Sequence, residues 1–453
     1  MCEYKLPRYC SSVIRHINDA GYEAYVVGGA VRDLISGKEP HDYDMASSAR
    51  PEELIRIMEE AGLRTLIETG LKHGTVTVMS EGELLEITTF RSDGDYSDAR
   101  HPDSVSFSAD IEEDVKRRDF TINALYLDAD GHVRDAVGGV ADIKNHTIRA
   151  VGDPRLRFSE DALRIMRGLR FASVLGFDID PDTRAAMLEK KELLHAISAE
   201  RIRTELTGLI CGKDASRVIR ENVDILSVII PELKVMEGFD QRSEYHHLDL
   251  LEHTLCVLDN IPLGEDNKRD EALSYSALFH DIGKPATFTV DEDGKGHMKG
   301  HPKYSASIAL DIADKLKFSN DLKDRVGHLV RLHDTFVKPD KKSVHRFMCR
   351  YPADLLDQLE ILQRADIIAH SPKGRERMDT LKEISKIRKE LMDEDVPLSV
   401  KDLAINGNDL IRLGVAPGPH MGEILDDLLK KVIAGEIKNN CEELVTIVRE
   451  SLG

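Results

Sequence analysis

The sequence predicts an α+β head followed by an all-helical remainder. Strand-like segments of period two are confined to about the first 140 residues. From about residue 153 onward strand signals vanish and helical spacing takes over. At 453 residues the chain is long enough for roughly three domains and more than one core.

The elements follow in order. Residues 24–33 read Ala-Tyr-Val-Val-Gly-Gly-Ala-Val-Arg-Asp, an apolar strand, a glycine pair and a helix-like segment carrying Arg32. A lone glycine pair is usually a turn. Before a helix, Gly28 and Gly29 let backbone approach phosphate, and the helix start and Arg32 attract its charge. Residues 41–45 read His-Asp-Tyr-Asp-Met. On a strand, Asp42 and Asp44 project from one face. Two such carboxylates repel unless a cation sits between them, and Mg²⁺ suits an all-oxygen site with room for triphosphate oxygens. A lone Asp-x-Asp is common on solvated loops; the joint pattern points to metal-dependent nucleotidyl transfer.

Residues 50–61 read as an amphipathic helix started by Pro51. Two period-two runs, Gly74–Met79 and Leu84–Phe90, flank a Ser-Glu-Gly turn and predict a hairpin. Glu86 falls on its second strand, as a third carboxylate for the metal or as a solvent-facing residue. Residues 91–116 read as a long polar loop, a length that marks function or disorder.

In the helical part, Pro154 and Ser159 open a helix with Ile165, Met166, Leu169 and Phe171 inward. Arg164 and Arg167 share a face, and Asp161 neighbours Arg164 on one turn. Asp161 and Arg164 can form a donor–acceptor fork for a base edge, or a plain ion pair. Arg149, Arg155, Arg157, Arg164, Arg167 and Arg170 crowd together, as a phosphate-binding track or as partners of nearby acids. Lys338, Lys341, Lys342, His345, Arg346 and Arg350 form a second cluster open to the same two readings. Further on come His253, the pair His280-Asp281 and Asp366, a complete ligand set for a divalent metal that could activate water. A charged helix over 375–395 opens the tail, and a glycine-rich stretch near Gly414 follows as a phosphate contact or a simple turn.

The ordered motifs resemble a known family. Gly28-Gly29-Ala30-Val31-Arg32-Asp33 with Asp42-x-Asp44 is similar to the head of bacterial class II tRNA nucleotidyltransferases. That family includes CCA-adding enzymes and bacterial poly(A) polymerases, within the DNA polymerase beta superfamily. Arg117-Arg118-Asp119-Phe120-Thr121-Ile122-Asn123-Ala124-Leu125 resembles its ribose-reading motif. Glu160-Asp161-Ala162-Leu163-Arg164 resembles its Glu-Asp-x-x-Arg motif, and Glu200-Arg201-Ile202 with Glu205-Leu206 the helix that follows. The resemblance covers about the first half of the chain. It implies a polymerase-beta-like head using Mg²⁺ on Asp42 and Asp44 as the catalytic pair. Gly28, Gly29 and Arg32 would hold the triphosphate and Arg118, Asp119 and Asn123 face the ribose. Asp161 and Arg164 would read CTP or ATP without a template. Arg167 joins the expected nucleotide-binding set, with Arg170 as a further candidate. The 91–116 loop matches a flexible element needed for adding the last adenosine.

The order His253, His280-Asp281, Asp366 resembles an HD phosphohydrolase domain, which some of these enzymes carry. His301 and His333 occupy places where related domains add ligands or phosphate contacts, while His246, His247 and His328 have weaker claims. Imidazole ligands favour Ni²⁺, Co²⁺ or Mn²⁺ there. The expected division is head 1–145, helical neck 146–235, HD domain 236–370 and helical tRNA-binding tail 371–453. The expected activity is addition of C, C and A to tRNA from CTP and ATP. Poly(A) polymerase and CC-only or A-only enzymes are the alternatives; the extra basic segment of poly(A) polymerases is not apparent. From other classes stand an HD phosphohydrolase with a nucleotide-binding head and a non-catalytic RNA-binding protein.

The formal charge of −20 argues against a generally adhesive nucleic-acid binder, so RNA contact must be local. The N-terminus has no apolar signal core, and no run approaches a membrane span. Cys2, Cys10, Cys211, Cys256, Cys349 and Cys441 are scattered without Cys-x-x-Cys pairs, which suits a reducing cytosol. The expected address is cytoplasmic, with no membrane and no protein partner implied.

Overall fold

The computed structural model describes residues 4–66, 74–93, 105–394 and 396–452. The chain divides into two compact units. One comprises residues 1–234 with 263–269 and 315–317, and the other comprises the remainder.

The first unit opens with α1 (Arg8–Asp19), which buries Cys10, Val13, Ile14 and Ile17 on one helical face. There follow β1 (Ala24–Val27), α2 (Gly29–Ile35), β2 (Met45–Ser47) and α3 (Pro51–Glu60). Then come β3 (Arg64–Leu66), β4 (Thr75–Ser80), β5 (Glu83–Thr89), β6 (Arg91–Asp93), β7 (Val105–Phe107) and α4 (Ile111–Lys116). Strands β8 (Leu125–Leu127) and β9 (Val133–Asp135) and helix α5 (Gly139–Lys144) complete the head. Seven strands form one mixed sheet in the order β3-β4-β5-β2-β1-β8-β9.

Sheet register assembles the motifs. Strands β1 and β2 are antiparallel with Val26 opposite Met45, so the exit of β1 at Gly28 lies beside the entry of β2. Strand β5 runs parallel to β2 with Met45 opposite Ile87, which brings Glu86 level with that entry. The predicted β4–β5 hairpin forms, with Thr77 opposite Glu86. Strand β2 begins only at Met45, so Asp42 and Asp44 lie on the extended approach to it rather than in it. The Val27 N–H still donates to the Asp44 carbonyl at 2.9 Å, which continues the pairing by one residue.

Two expectations change. The stretch 91–116 is not one loop: β6 pairs antiparallel with β7, and Asp110 caps α4 by accepting from the Glu112 N–H at 2.9 Å. Residues 94–104, the middle of that stretch, lie outside the described residues. The helix expected from Pro154 is two helices, α6 (Pro154–Glu160) and α7 (Leu163–Leu175). Asp161 leaves helical geometry (φ −139°, ψ 103°) and accepts from the Leu163 N–H at 3.0 Å. An aspartate that caps a new start competes with helix continuation. Helices α8 (Pro181–Lys190), α9 (Ala199–Ile210), α10 (Ala215–Glu221), α11 (Val223–Leu226) and α12 (Glu232–Met236) follow.

The arginine cluster is ion-paired throughout. Arg149 pairs with Asp142 and Asp180, Arg155 with Glu189, and Arg157 and Arg164 with Glu160. Arg167 pairs with Asp119, and Arg170 with Glu205. The alternative of internal partners is therefore met for all six, which tempers a bare basic track.

The second unit is helical apart from a two-stranded ribbon at residues 289–297. Its helices are α13 (Leu250–Asp259), α14 (Glu271–Phe279), α15 (Lys284–Thr287), α16 (His301–Lys315), α17 (Asn320–Leu332), α18 (Lys341–Met348) and α19 (Ala353–Ala369). The charged helix expected over 375–395 is α20 (Arg377–Asp393). In the second basic cluster Lys341 pairs with Glu394, and buried His345 donates to the Pro397 carbonyl at 2.8 Å. The tail packs its own core from Leu403, Ile405, Leu410, Leu425, Leu428, Leu444 and neighbours. No helix among the described residues is long and apolar enough to cross a membrane. Among the described residues, Cys10, Cys211, Cys256, Cys349 and Cys441 form no disulfide.

One backbone approach governs the head. A methyl group on Gly139, at the start of α5, would lie 2.2 Å from the Thr121 carbonyl oxygen. Thr121 starts the short 3₁₀ turn that carries Asn123. Gly139→Ala should therefore destabilise the first unit by about 1–3 kcal/mol, the usual penalty of overpacking. Thermal melting reads this; an unchanged Tm would contradict the packing described.

Candidate functional site

A cleft of about 700 Å³ opens in the first unit over the junction of β1 and β2. Gly28, Gly29, Arg32, Asp44 and Glu86 line it together with Arg118, Asp119, Asn123, Asp161, Arg164 and Arg167. Asp42 and Arg170 are not among its lining residues.

Gly28 has φ 71°, a left-handed conformation open to glycine, and it caps α2. Arg32 is held by Asp33 at 2.8 Å and donates to the Asn123 side-chain oxygen at 2.9 Å. This bond ties the glycine segment to the 3₁₀ turn. Asp44 has a raised pKa: the surrounding protein withholds water, Asp42 and Glu86 add negative charge, and Arg118 partly offsets them. Such carboxylate crowding calls for a cation. The three acids nonetheless converge less tightly than the histidine set below. Among the described residues, the groups with all ligand atoms within 4.8 Å belong to that set.

Arginines held by acids make up much of the lining. Asp119 binds Arg167 at 2.7 Å and accepts from its own neighbour's N–H at Phe120, 2.8 Å away. Burial opposes its charge most strongly, but Arg167, the Phe120 N–H and Arg164 together hold its carboxyl below the usual carboxylate range. The side chains of Asp161 and Arg164 are not each other's partners; only the Arg164 backbone N–H meets the Asp161 carbonyl, at 3.1 Å. Asp161 pairs with Arg201 at 3.1 Å. Arg164 pairs with Glu160 at 2.8 Å and donates to the carbonyls of Arg157 at 3.1 Å and Arg117 at 2.8 Å. The plain Asp161–Arg164 ion pair is thus excluded, and both side chains border the same cleft. The Phe171 ring lies under the guanidinium carbons of Arg32, Arg167 and Arg170, at 5.8, 5.4 and 4.4 Å from its centroid. Stacking of this kind fixes arginines with less loss of charge than an acid would cause.

A second cavity of about 620 Å³ lies in the second unit beside a histidine centre. His253 projects from α13, His280 and Asp281 follow α14, and His301 begins α16. His333 caps α17, and Asp366 lies near the end of α19. All six are buried. His253 Nε2 stands 3.1 Å from Asp366 and 3.4 Å from His280 Nε2. Asp281 faces two ways: Oδ2 lies 3.2 Å from His280 and 2.6 Å from Lys284, while Oδ1 lies 3.1 Å from His301 and 3.6 Å from His333. Burial opposes the charge of Asp281, but His280 and Lys284 hold its carboxyl well below the usual range.

The tautomers follow from the helix ends. Nδ1 of His280, His301 and His333 donates to the carbonyls of Ala277, Met298 and Val330 at 2.8, 3.0 and 2.7 Å. A carbonyl only accepts, so each neutral ring keeps its lone pair on Nε2. The Nε2 atoms of His301 and His333 stand 3.3 Å apart. Two lone pairs in contact repel unless a proton or metal ion lies between them. The donors fit a divalent metal in two sets that share Asp281: His253-His280-Asp281 and Asp281-His301-His333.

Sequence reasoning passed over Arg201, Phe171 and Lys284 as site residues. Arg201 stood within the quoted Glu200-Arg201-Ile202 stretch without a role of its own, and Lys284 three residues after Asp281, so charge in or next to a motif was the available signal. Phe171 had been read only as core. His370, whose ring lies 3.6 Å from Asp366, carried no pattern at all.

The raised pKa of Asp44 has a sign. A carboxyl raised on folding is destabilising where it is ionised, so its cost is absent below the unfolded pKa, grows as pH rises from the unfolded to the folded pKa, and is full above it. Without divalent cation, Asp44→Asn should raise the Tm at neutral pH, and the gain should vanish on acidification. A lower Tm for Asp44→Asn at neutral pH would contradict the crowding.

Residues 24–149 match the Poly A polymerase head domain, and residues 304–448 match a second-domain description of tRNA nucleotidyltransferases. Residues 176–236 match the "Probable RNA and SrmB- binding site of polymerase A". A CCA-adding enzyme of Lactobacillus johnsonii is 35% identical over 430 residues, 94% of this chain and 93% of that one. A second, from Limosilactobacillus fermentum, is 35% identical over 97% of this chain and 96% of its own. The crystal structure of the Bacillus stearothermophilus CCA-adding enzyme in complex with CTP superposes with a TM-score of 0.71. It shares 29% identity and covers 98% of this chain and 97% of its own. With such identity sustained from end to end, the chain belongs to the family of CCA-adding enzymes.

Proposed function

We propose that the head adds C, C and A to the 3′ end of tRNA, taking CTP and ATP as substrates without a template. The observation that carries this is one cleft that joins the glycine-arginine segment, the acids at the β2 entry and the acid-held arginines. Arg32 and the Gly28-Gly29 backbone hold the triphosphate. Arg118, Asp119 and Asn123 face the ribose. Asp161 and Arg164, fixed separately by Arg201 and Glu160, offer acceptor and donor atoms to a base edge. Arg167 braces Asp119, and Arg170 stacks beside it on Phe171. Asp42 and Asp44, with Glu86 as a further donor, suit Mg²⁺, which supplies activation of the terminal hydroxyl and charge neutralisation on the leaving pyrophosphate. The working division is head 1–145, neck 146–235, HD domain 236–370 and tail 371–453, and the address is cytoplasmic.

The crowding at Asp44 makes the test direct. Asp42→Ala or Asp44→Ala should abolish nucleotide incorporation while tRNA affinity largely survives, because several kcal/mol of charge neutralisation is lost. Incorporation and RNA binding are measured in parallel. Near-normal incorporation by either variant would sink the assignment.

A second activity is favoured by the facing imidazole lone pairs. We infer that His253, His280, Asp281 and Asp366 hold a transition metal such as Ni²⁺, Co²⁺ or Mn²⁺, with His301 and His333 as ligands on the other side of Asp281. The unit then hydrolyses phosphate esters. Replacing His280 and Asp281 together by Ala should remove metal-stimulated hydrolysis of 2′,3′-cyclic or terminal phosphates and spare CCA addition. Equilibrium dialysis across a metal panel runs alongside both assays. Wild type that binds no transition metal would reduce the unit to a scaffold.

A further inference from the structure

Asp114 is fully buried on α4 and lies outside the motifs quoted above. It is not itself one of the residues lining the cleft, yet donors from four residues converge on it. Oδ1 accepts from Arg117 Nε at 2.8 Å and from the Arg91 backbone N–H at 3.4 Å, with Arg117 Nη2 in ion-pair contact at 2.6 Å. Oδ2 accepts from the Tyr126 hydroxyl at 2.6 Å and from Arg118 Nη2 at 3.1 Å and Nε at 3.3 Å. Tyr126, itself buried on β8, closes the ring: its oxygen accepts from Arg118 Nε at 2.8 Å. One carboxylate thus holds two consecutive arginines and a strand tyrosine.

Both arginines lead to the cleft. Arg118 lines it, donates to the Asn123 carbonyl at 3.2 Å and sits 3.8 Å from where a methyl on Gly28 would be. It is also the cation that offsets the charge of Asp44. Arg117 lines the cleft too, and its carbonyl accepts from Arg164 at 2.8 Å. The sugar-facing and base-facing walls therefore share one hidden anchor. A buried carboxylate is expensive unless paired, and here two cations and a hydroxyl repay it. Removing its charge leaves arginine N–H groups and the Tyr126 hydroxyl without a partner.

We propose that Asp114 is a positioning residue for nucleotide selection, acting through Arg118 on the sugar side and through the Arg117 carbonyl on Arg164. This rests on the head being a nucleotide-binding site. Asp114→Asn keeps shape but loses charge and one acceptor, so both arginines should lose their fixed fork geometry. The KM for CTP and for ATP should rise about tenfold, as for loss of a hydrogen bond to a charged group, with a smaller change in kcat. Discrimination between CTP and its 2′-deoxy analogue should fall as well. Tyr126→Phe, which leaves the carboxylate and removes only the relay hydroxyl, should show the same pattern more weakly.

The experiment measures kcat and KM for CTP, ATP and 2′-deoxy-CTP on wild type, Asp114→Asn and Tyr126→Phe, with melting curves for each. CTP binding without RNA is measured by calorimetry. Wild type that binds no CTP would overturn the nucleotide reading itself. Wild type that binds CTP, with folded variants of unchanged KM and sugar discrimination, would overturn the role of Asp114. Should Asp114→Asn fail to fold, Tyr126→Phe decides: a raised KM for CTP with weakened sugar discrimination supports the role, and wild-type values for both overturn it. Equal losses of kcat for every nucleotide with KM unchanged would mark Asp114 as merely structural and overturn it too.

Discussion

Burying arginines around the cleft of the head demands acids placed to hold them, and the head is built around that demand. Glu160 serves Arg157 and Arg164, Asp119 serves Arg167, Glu205 serves Arg170, and Asp161 serves Arg201. Asp114 serves Arg117 and Arg118 together. Each pair loses hydration and regains it as charge-assisted hydrogen bonds only while its geometry is kept. A guanidinium fixed this way presents its remaining N–H groups in one direction, which is what reading a sugar or a base edge requires. An overall charge of −20 is compatible with this, because the local positive charge is held and oriented rather than spread.

The second unit solves a different problem with the same economy. His280 and His333 follow the ends of helices, where the last carbonyls lack intrahelical partners, and His301 begins one. The last-turn carbonyls of Ala277 and Val330, and the loop carbonyl of Met298 before α16, take the Nδ1 protons of His280, His333 and His301, which leaves their Nε2 atoms to face the centre. The local backbone sets the tautomer before any metal arrives. Asp281 stands at the centre because its two oxygens address separate histidine pairs.

Much of this was legible from residue order. Period-two runs located the β4–β5 hairpin, and the two motifs near residues 28 and 44 came together because antiparallel register brings a strand exit beside a strand entry. The histidine order likewise converged. Less legible were features decided by competition between local and tertiary partners. Spacing put Asp161 and Arg164 on one turn, yet Asp161 caps α7 and chooses Arg201, forty residues away in sequence. The stretch after residue 91 read as loop because polar residues hide the short β6–β7 pairing. Six crowded arginines could not reveal their acids, several of which come from distant helices.

The most direct measurement supplies the protein with tRNA lacking its terminal CCA and sizes the product with CTP alone, ATP alone and both. The account predicts C-C from CTP alone, no extension from ATP alone, and C-C-A from the mixture. A homopolymeric adenosine tail from ATP alone, or indiscriminate extension with any nucleotide, would contradict a cleft whose fixed arginines and acids choose the base.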